Sequence, residues 1–206
     1  DGTFNYSGKA NEYFKQWVEE GYEVIHINLG SALSAAHQNC RLAAQELGHV
    51  YVIDSCSLST GMGLLVIEAG RRISHGMPAE QIYQEVSALA THSHASFILD
   101  TLEFMHAGGR CSAVTALGAN LLRLKPCIEV NNLRGGAMNV GKKYRGNLEK
   151  VLPQYTRDKL ADRADLVLDR VFITHSGISE KYIDLVRNTI QEVADFREIC
   201  VTRASC

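Results

Sequence analysis

The sequence predicts an α/β protein of two lobes, the first built on a Rossmann-like parallel sheet and the second a mixed α/β lobe with a β-hairpin. Three observations carry this. In the first half, short apolar runs alternate with amphipathic stretches at the pitch of parallel β-α-β units. In the second half the texture changes, and two strand-like runs flank a polar turn, as in a hairpin. The chain has 206 residues, 46% of them apolar and only three prolines, enough to bury roughly 70% of its unfolded surface. The lobe boundary is placed near Ala95, giving 1–95 and 96–206, and both lobes read as cut short.

The elements follow in order. Tyr13, Phe14, Trp17 and Val18 fall at helical spacing, and Gly21 ends that helix. Glu23–Leu29 reads as a buried strand, broken by Gly30 and Ser31. A helix from about Ala32 to Leu47 turns Leu33, Ala36, Cys40, Ala43 and Leu47 inward. The run His49–Ser55 is a second strand. Ser59–His75 is helical, and Pro78 suits the first turn of another helix through Leu89. Ala95–Ser112 reads as a strand, a short helix and a glycine turn, with a helix over Val114–Leu121 after it. Leu122–Val130 and Ala137–Arg145 form the hairpin around Asn131–Gly136. A helix over Asn147–Ala164, a strand over Leu166–His175, a helix over Ser179–Ala194 and a final strand complete the chain.

Composition excludes several classes. The 21 basic and 23 acidic side chains leave a net charge of −2, whereas a nucleic-acid-binding domain is normally clearly basic. No apolar run approaches the ~18 residues of a membrane span, and no signal-peptide pattern opens the chain. The six cysteines (Cys40, Cys56, Cys111, Cys127, Cys200 and Cys206) form no C-x-x-C pair and read as small buried hydrophobes. The eight histidines include no H-E-x-x-H. The expectation is a cytoplasmic protein with no metal and no cofactor. Asp1 at the start and the strand-like run at the end suggest a piece of a longer protein.

Two strand ends stand out chemically. The first strand runs into Asn28–Ser34 and the second into Asp54–Gly63, each placing hydroxyls and glycines just before a helix. Ligands collect at the carboxyl ends of strands in open α/β sheets, and unpaired N–H groups at a helix start suit a carboxylate or phosphate. Ser31 and Ser34 are the first candidates and Ser55 another; helix capping is the plain alternative for any one of them. No G-x-S-x-G nucleophile elbow, complete dinucleotide fingerprint or G-x-x-x-x-G-K-[ST] loop occurs. In the second half Lys142, Lys143 and Arg145 form a small basic cluster, and lysines there also suit a solvated edge. Arg110 follows Gly108 and Gly109, a turn that can present a guanidinium to a carboxylate or phosphate. A structural pair with Glu103 is the alternative.

Four ordered segments resemble motifs of the DegV family of bacterial fatty-acid-binding proteins. The pattern S-S-x-L-S-G-T-Y-Q-S-A is met by Gly30 to Cys40, with Gly30, Ala35 and Ala36 in place of a serine, the glycine and the threonine. The pattern D-S-x-x-x-S-x-G-x-G is met by Asp54, Ser55, Ser59, Gly61 and Gly63. D-T-L-E-Y-L-x-x-G-G-R-I is met from Asp100 to Cys111, and Leu117 to Cys127 resembles L-G-x-L-L-x-I-K-P-I-L through its Leu117-Gly118 and Lys125-Pro126 pairs. Two further family segments, an N-terminal T-S-Q-P-S stretch and a C-terminal histidine–glycine loop, have no counterpart in the sequence.

The resemblance implies two α/β lobes with a long acyl chain between them, its carboxylate held by hydroxyls, chiefly Ser31 with Ser34 in support. It implies a carrier rather than an enzyme, which presents its fatty acid to a fatty acid kinase for acyl-phosphate formation. Arg110, Arg145 and Ser55 are candidates for head-group or partner contact, Arg110 for the kinase step. A serine-dependent transferase or hydrolase, or a structural module that binds no lipid, are the alternatives. No acid–base pair is found in the sequence.

Overall fold

The computed structural model describes residues 6–101 and 124–204. Its elements are α1 (Tyr6–Glu19), β1 (Val24–Asn28), α2 (Ala36–Leu47), β2 (Val50–Asp54), α3 (Ser59–Ser74), α4 (Ala79–Ala90) and β3 (Ala95–Ile98). From residue 124 onward come β4 (Leu124–Asn131), β5 (Ala137–Arg145), α5 (Leu148–Leu160), β6 (Arg170–His175), α6 (Glu180–Val193) and β7 (Glu198–Arg203). The class is α/β, as the sequence predicts. The glycine turn with Arg110 and the helix expected over Val114–Leu121 lie outside the described residues.

The chain divides into two compact units, one drawn from Asp1–Ala95 and Val130–Met138, the other from Ser96–Glu129 and Asn139–Cys206. The tip of the β4–β5 hairpin therefore belongs to the first unit while its arms belong to the second.

In the first unit β1 and β2 pair in parallel, Val24 opposite Val50 and Asn28 opposite Asp54. Successive residues of a strand face opposite ways, and β2 shows what that does here. Val52 packs with Phe14 of α1 and with Cys40 and Ala43 of α2. Its neighbour Ile53 packs with Leu65 and Ala69 of α3 and with Ile82, Val86 and Ala90 of α4. Helices cover both faces, which is why β2 carries apolar residues at successive positions rather than at alternate ones.

In the second unit the strand order is β3-β4-β5 in one sheet, and β6 pairs with β7 in another. The β6–β7 pair is parallel, from Arg170 opposite Glu198 to His175 opposite Arg203. Cys127, Tyr144 and Val151 form a buried cluster against Ile98 and Tyr155. Asn147 caps α5, its side chain accepting from the Lys150 N–H at 3.2 Å.

Three boundaries differ from the sequence reading, each for a local reason. Helix α2 begins at Ala36, not near Ala32. The Ala32 and Leu33 N–H groups donate to Gly135 and Gly30 carbonyls instead, and the Ser34 hydroxyl accepts from Ala36 N at 3.1 Å. Helix α5 stops at Leu160, just before Asp162 takes a left-handed φ of 59°. Strand β6 starts at Arg170, because Val167 and Leu168 sit exposed in the preceding turn.

Candidate functional site

The carboxyl ends of β1 and β2 lie side by side in the first unit because the strands are parallel and in register through Asn28 and Asp54. Their following loops leave at the same edge, where open α/β sheets bind ligands. Backbone hydrogen bonds staple three segments together there. Gly30 N donates to Ser57 O at 2.8 Å, Ser55 N to Asn28 O at 3.2 Å, and Ala32 N to Gly135 O at 3.0 Å. The third segment is the hairpin tip, contributed by residues a hundred positions along the chain.

Asp54 ties the two loops together. Its Oδ1 accepts from Ser31 N at 3.1 Å and from Cys56 N at 2.9 Å. One carboxylate thus satisfies a donor on each loop and places a negative charge at the strand ends. Burial, then the charge of Asp54 and a hydrogen bond to it, push the Cys56 thiol above its ordinary pKa. His37 on α2 is held below the usual imidazole value by burial, with Asp54 opposing that and Arg41 adding to it.

The tip is a seated structure rather than a loose turn. Asn132–Arg134 form a 3-10 turn, with the Asn131 side chain accepting from Leu133 N at 3.1 Å. Asn132 is buried, and its Nδ2 donates to Thr91 O at 2.6 Å and Ser93 O at 3.4 Å. Two glycines permit the close approach. A Cβ on Gly30 would lie 2.5 Å from Gly135 O and 3.1 Å from Ser57 N. A Cβ on Gly135, which has a φ of 59°, would lie 2.5 Å from Ser31 Oγ.

The candidate residues divide by environment. Ser31 is exposed, and its hydroxyl faces the tip at Gly135. Ser34 is half-buried with its hydroxyl engaged at Ala36 N. Ser55 is fully buried, its Oγ donating to Ser57 O at 3.1 Å and accepting from Ser57 N at 3.2 Å. That hydroxyl closes its own turn. Arg145 is exposed at the end of β5 in the second unit, and Arg110 lies outside the described residues.

Other groups at this edge escaped the sequence reading. Asn28 Oδ1, His37 Nδ1 and Ser57 Oγ are buried with no hydrogen-bond partner among the described residues. The Asn28 amide nitrogen lies 3.1 Å from His26 Nε2 and 3.5 Å from Cys40 Sγ. A signal for the tip was present in the paired Gly135–Gly136, but nothing local says where such a turn seats.

Comparison with known proteins bears on the whole chain. The chain is 34% identical over 142 residues to a DegV domain-containing protein of Clostridium perfringens, covering 68% of this chain and 50% of that protein. It is also 34% identical over 165 residues to one from Deinococcus radiodurans, covering 80% of this chain and 54% of that one. The chain thus spans about half the length of these curated relatives. Among solved structures, a DegV lipid-binding protein from Thermotoga maritima superposes with a TM-score of 0.78 at 22% identity, covering 96% of this chain and 68% of that one. A DegV family protein from Thermus thermophilus, described by its fatty acid binding, gives a TM-score of 0.76 at 24% identity, covering 96% and 69%. These likenesses show the fold. The sequence profile of the DegV family, described as uncharacterised proteins, matches residues 6–205, and the chain belongs to that family.

Proposed function

We propose that this protein binds a long-chain fatty acid, with the carboxylate held at the β1 end by the Ser31 hydroxyl, and acts as a cytoplasmic carrier rather than an enzyme. The observation that carries this is Ser31, an exposed residue whose hydroxyl faces the hairpin tip, at a strand end stapled by Asp54 and that tip. Solved relatives described as lipid- or fatty-acid-binding support the ligand class. The energetics are undemanding. Each buried methylene contributes roughly 0.8 kcal/mol, so the acyl chain supplies most of the affinity and the head group needs only a few donors. Ser34 holds the shape of the Ser31 loop through its bond to Ala36 N. Presentation to a fatty acid kinase, with Arg110 serving the acyl-phosphate step, belongs to the same proposal.

Mass spectrometry of lipids extracted from the purified, bacterially expressed protein should find co-purifying fatty acid. Ser31→Ala should weaken fatty-acid binding by about 1–3 kcal/mol, the cost of deleting a hydrogen bond to a charged group. Unchanged affinity in a folded variant moves the carboxylate elsewhere. Absence of lipid, with turnover of an activated ester, turns the protein into a serine enzyme.

A further inference from the structure

We propose that Arg134, at the tip of the β4–β5 hairpin, is the residue that makes this site select an acid head group over a neutral one. The inference rests on the fatty-acid reading above and adds to it the source of positive charge. A charge is needed because Asp54 already occupies the strand ends. Its carboxylate takes the Ser31 and Cys56 backbone donors, so an arriving carboxylate meets a like charge beside a single hydroxyl. At effective dielectric values typical of a protein surface, two such charges repel appreciably.

Arg41 on α2 acts on His37 from the helix side, and the tip carries a further cation. Gly135 packs so closely on Ser31 that a Cβ there would lie 2.5 Å from Ser31 Oγ, and Arg134 is the next residue, about 3.8 Å away from Cα to Cα. Its position is fixed by the turn, which is anchored through the buried Asn132 to Thr91 O and Ser93 O and through Gly135 O to Ala32 N. Elsewhere in this unit Arg71 and Arg72 pair with Glu68 and Glu85. Arg134 is exposed and has no carboxylate partner among the described residues. Beside it Leu133 is 78% exposed. An exposed cation and an exposed leucine, side by side on a rigid turn, match the carboxylate and first methylenes of an amphiphile. Arginine suits the role because its planar fork binds a carboxylate with two parallel hydrogen bonds and stays charged at any working pH.

Binding of hexadecanoate and of 1-hexadecanol, each displacing a fluorescent fatty-acid probe from the full chain, tests this. The parent should prefer the acid, by a margin that shrinks as salt rises. Arg134→Gln should lose roughly five- to tenfold in hexadecanoate affinity and keep its hexadecanol affinity and melting temperature. Arg134→Lys should recover part of the preference. If Arg134→Gln holds the parent's acid-to-alcohol ratio, the assignment is overturned. Equal losses for both lipids with a lowered melting temperature also overturn it, since the arginine is then structural. So does an unchanged acid affinity alongside lost association with phosphatidylglycerol vesicles, which would turn the tip toward a lipid surface. A parent that binds neither lipid removes the fatty-acid reading itself, and this assignment with it.

Discussion

A methyl group on Gly30 would meet backbone atoms on two sides, Gly135 O and Ser57 N, and backbone cannot swing away as a side chain can. Overpacking of this kind costs about 1–3 kcal/mol. Gly30→Ala should therefore lower the urea midpoint. Gly63→Ala is the matched control: nothing lies within 4 Å of its added Cβ, it sits within α3, and alanine is favoured over glycine in a helix by about 1 kcal/mol. That variant should unfold at higher urea, and a Gly30→Ala protein as stable as the parent would mean the tip seats loosely. The same position shows what residue-level reading could reach. The motif comparison marks Gly30 as a departure from the family's serine, and the seated tip supplies the physical reason, since no side chain fits there. Among the serines, the family resemblance ranks Ser31 and Ser34 ahead of Ser55, while residue type and strand-end position alone do not separate Ser31 from Ser55. The difference is burial, and burial is decided by segments distant in sequence.

At the scale of elements, β1 and α2 meet through polar groups as well as apolar ones. The Asn28 side-chain nitrogen on β1 lies 3.1 Å from His26 Nε2, an arrangement that wants a neutral imidazole with a lone pair at that atom. Burial, with the nearby His37 adding to it, lowers the pKa of His26 from the ordinary 6.5, and burial likewise lowers that of His37. Folded, both bind protons less readily than unfolded. Just below pH 6.5 the unfolded chain carries more protons, so stability rises with pH through that window and is lost as pH falls through the folded values. Urea unfolding of the parent from pH 7.5 to pH 5 should show this decline. The double variant His26→Gln/His37→Gln should flatten it, and an unaltered pH slope would place the dependence on other groups. The elements themselves were largely legible because each helix and strand has its own period. What the period could not give was the start of α2, where Ala32 N leaves for Gly135 O, or the start of β6. Apolar Val167 and Leu168 look like strand yet sit exposed in a turn.

At the scale of the molecule, the first unit is discontinuous, taking Val130–Met138 as well as Asp1–Ala95. A fragment ending at Ala95 would lose the tip that accepts from Ala32 N and donates to Thr91 and Ser93 carbonyls. Ala32 and Thr91 are exposed, so water replaces the tip there. Ser93 is buried, however, and its carbonyl would lose the Asn132 donor. The buried Gly30 would lose the Gly135 backbone packed against it, and such losses are costly in an interior. Such a fragment should show no cooperative thermal transition, whereas the full chain should; a fragment melting like the full chain would make the tip dispensable. This interleaving also sets a timetable for synthesis. The first unit cannot be finished as its own residues leave the ribosome, because the segment that closes it is translated about forty residues later. At about 5–20 residues per second, that is a wait of roughly 2–8 s. During it the nascent chain holds its β-α-β half with the strand-end edge still open, and the last piece to arrive is the one carrying Leu133 and Arg134.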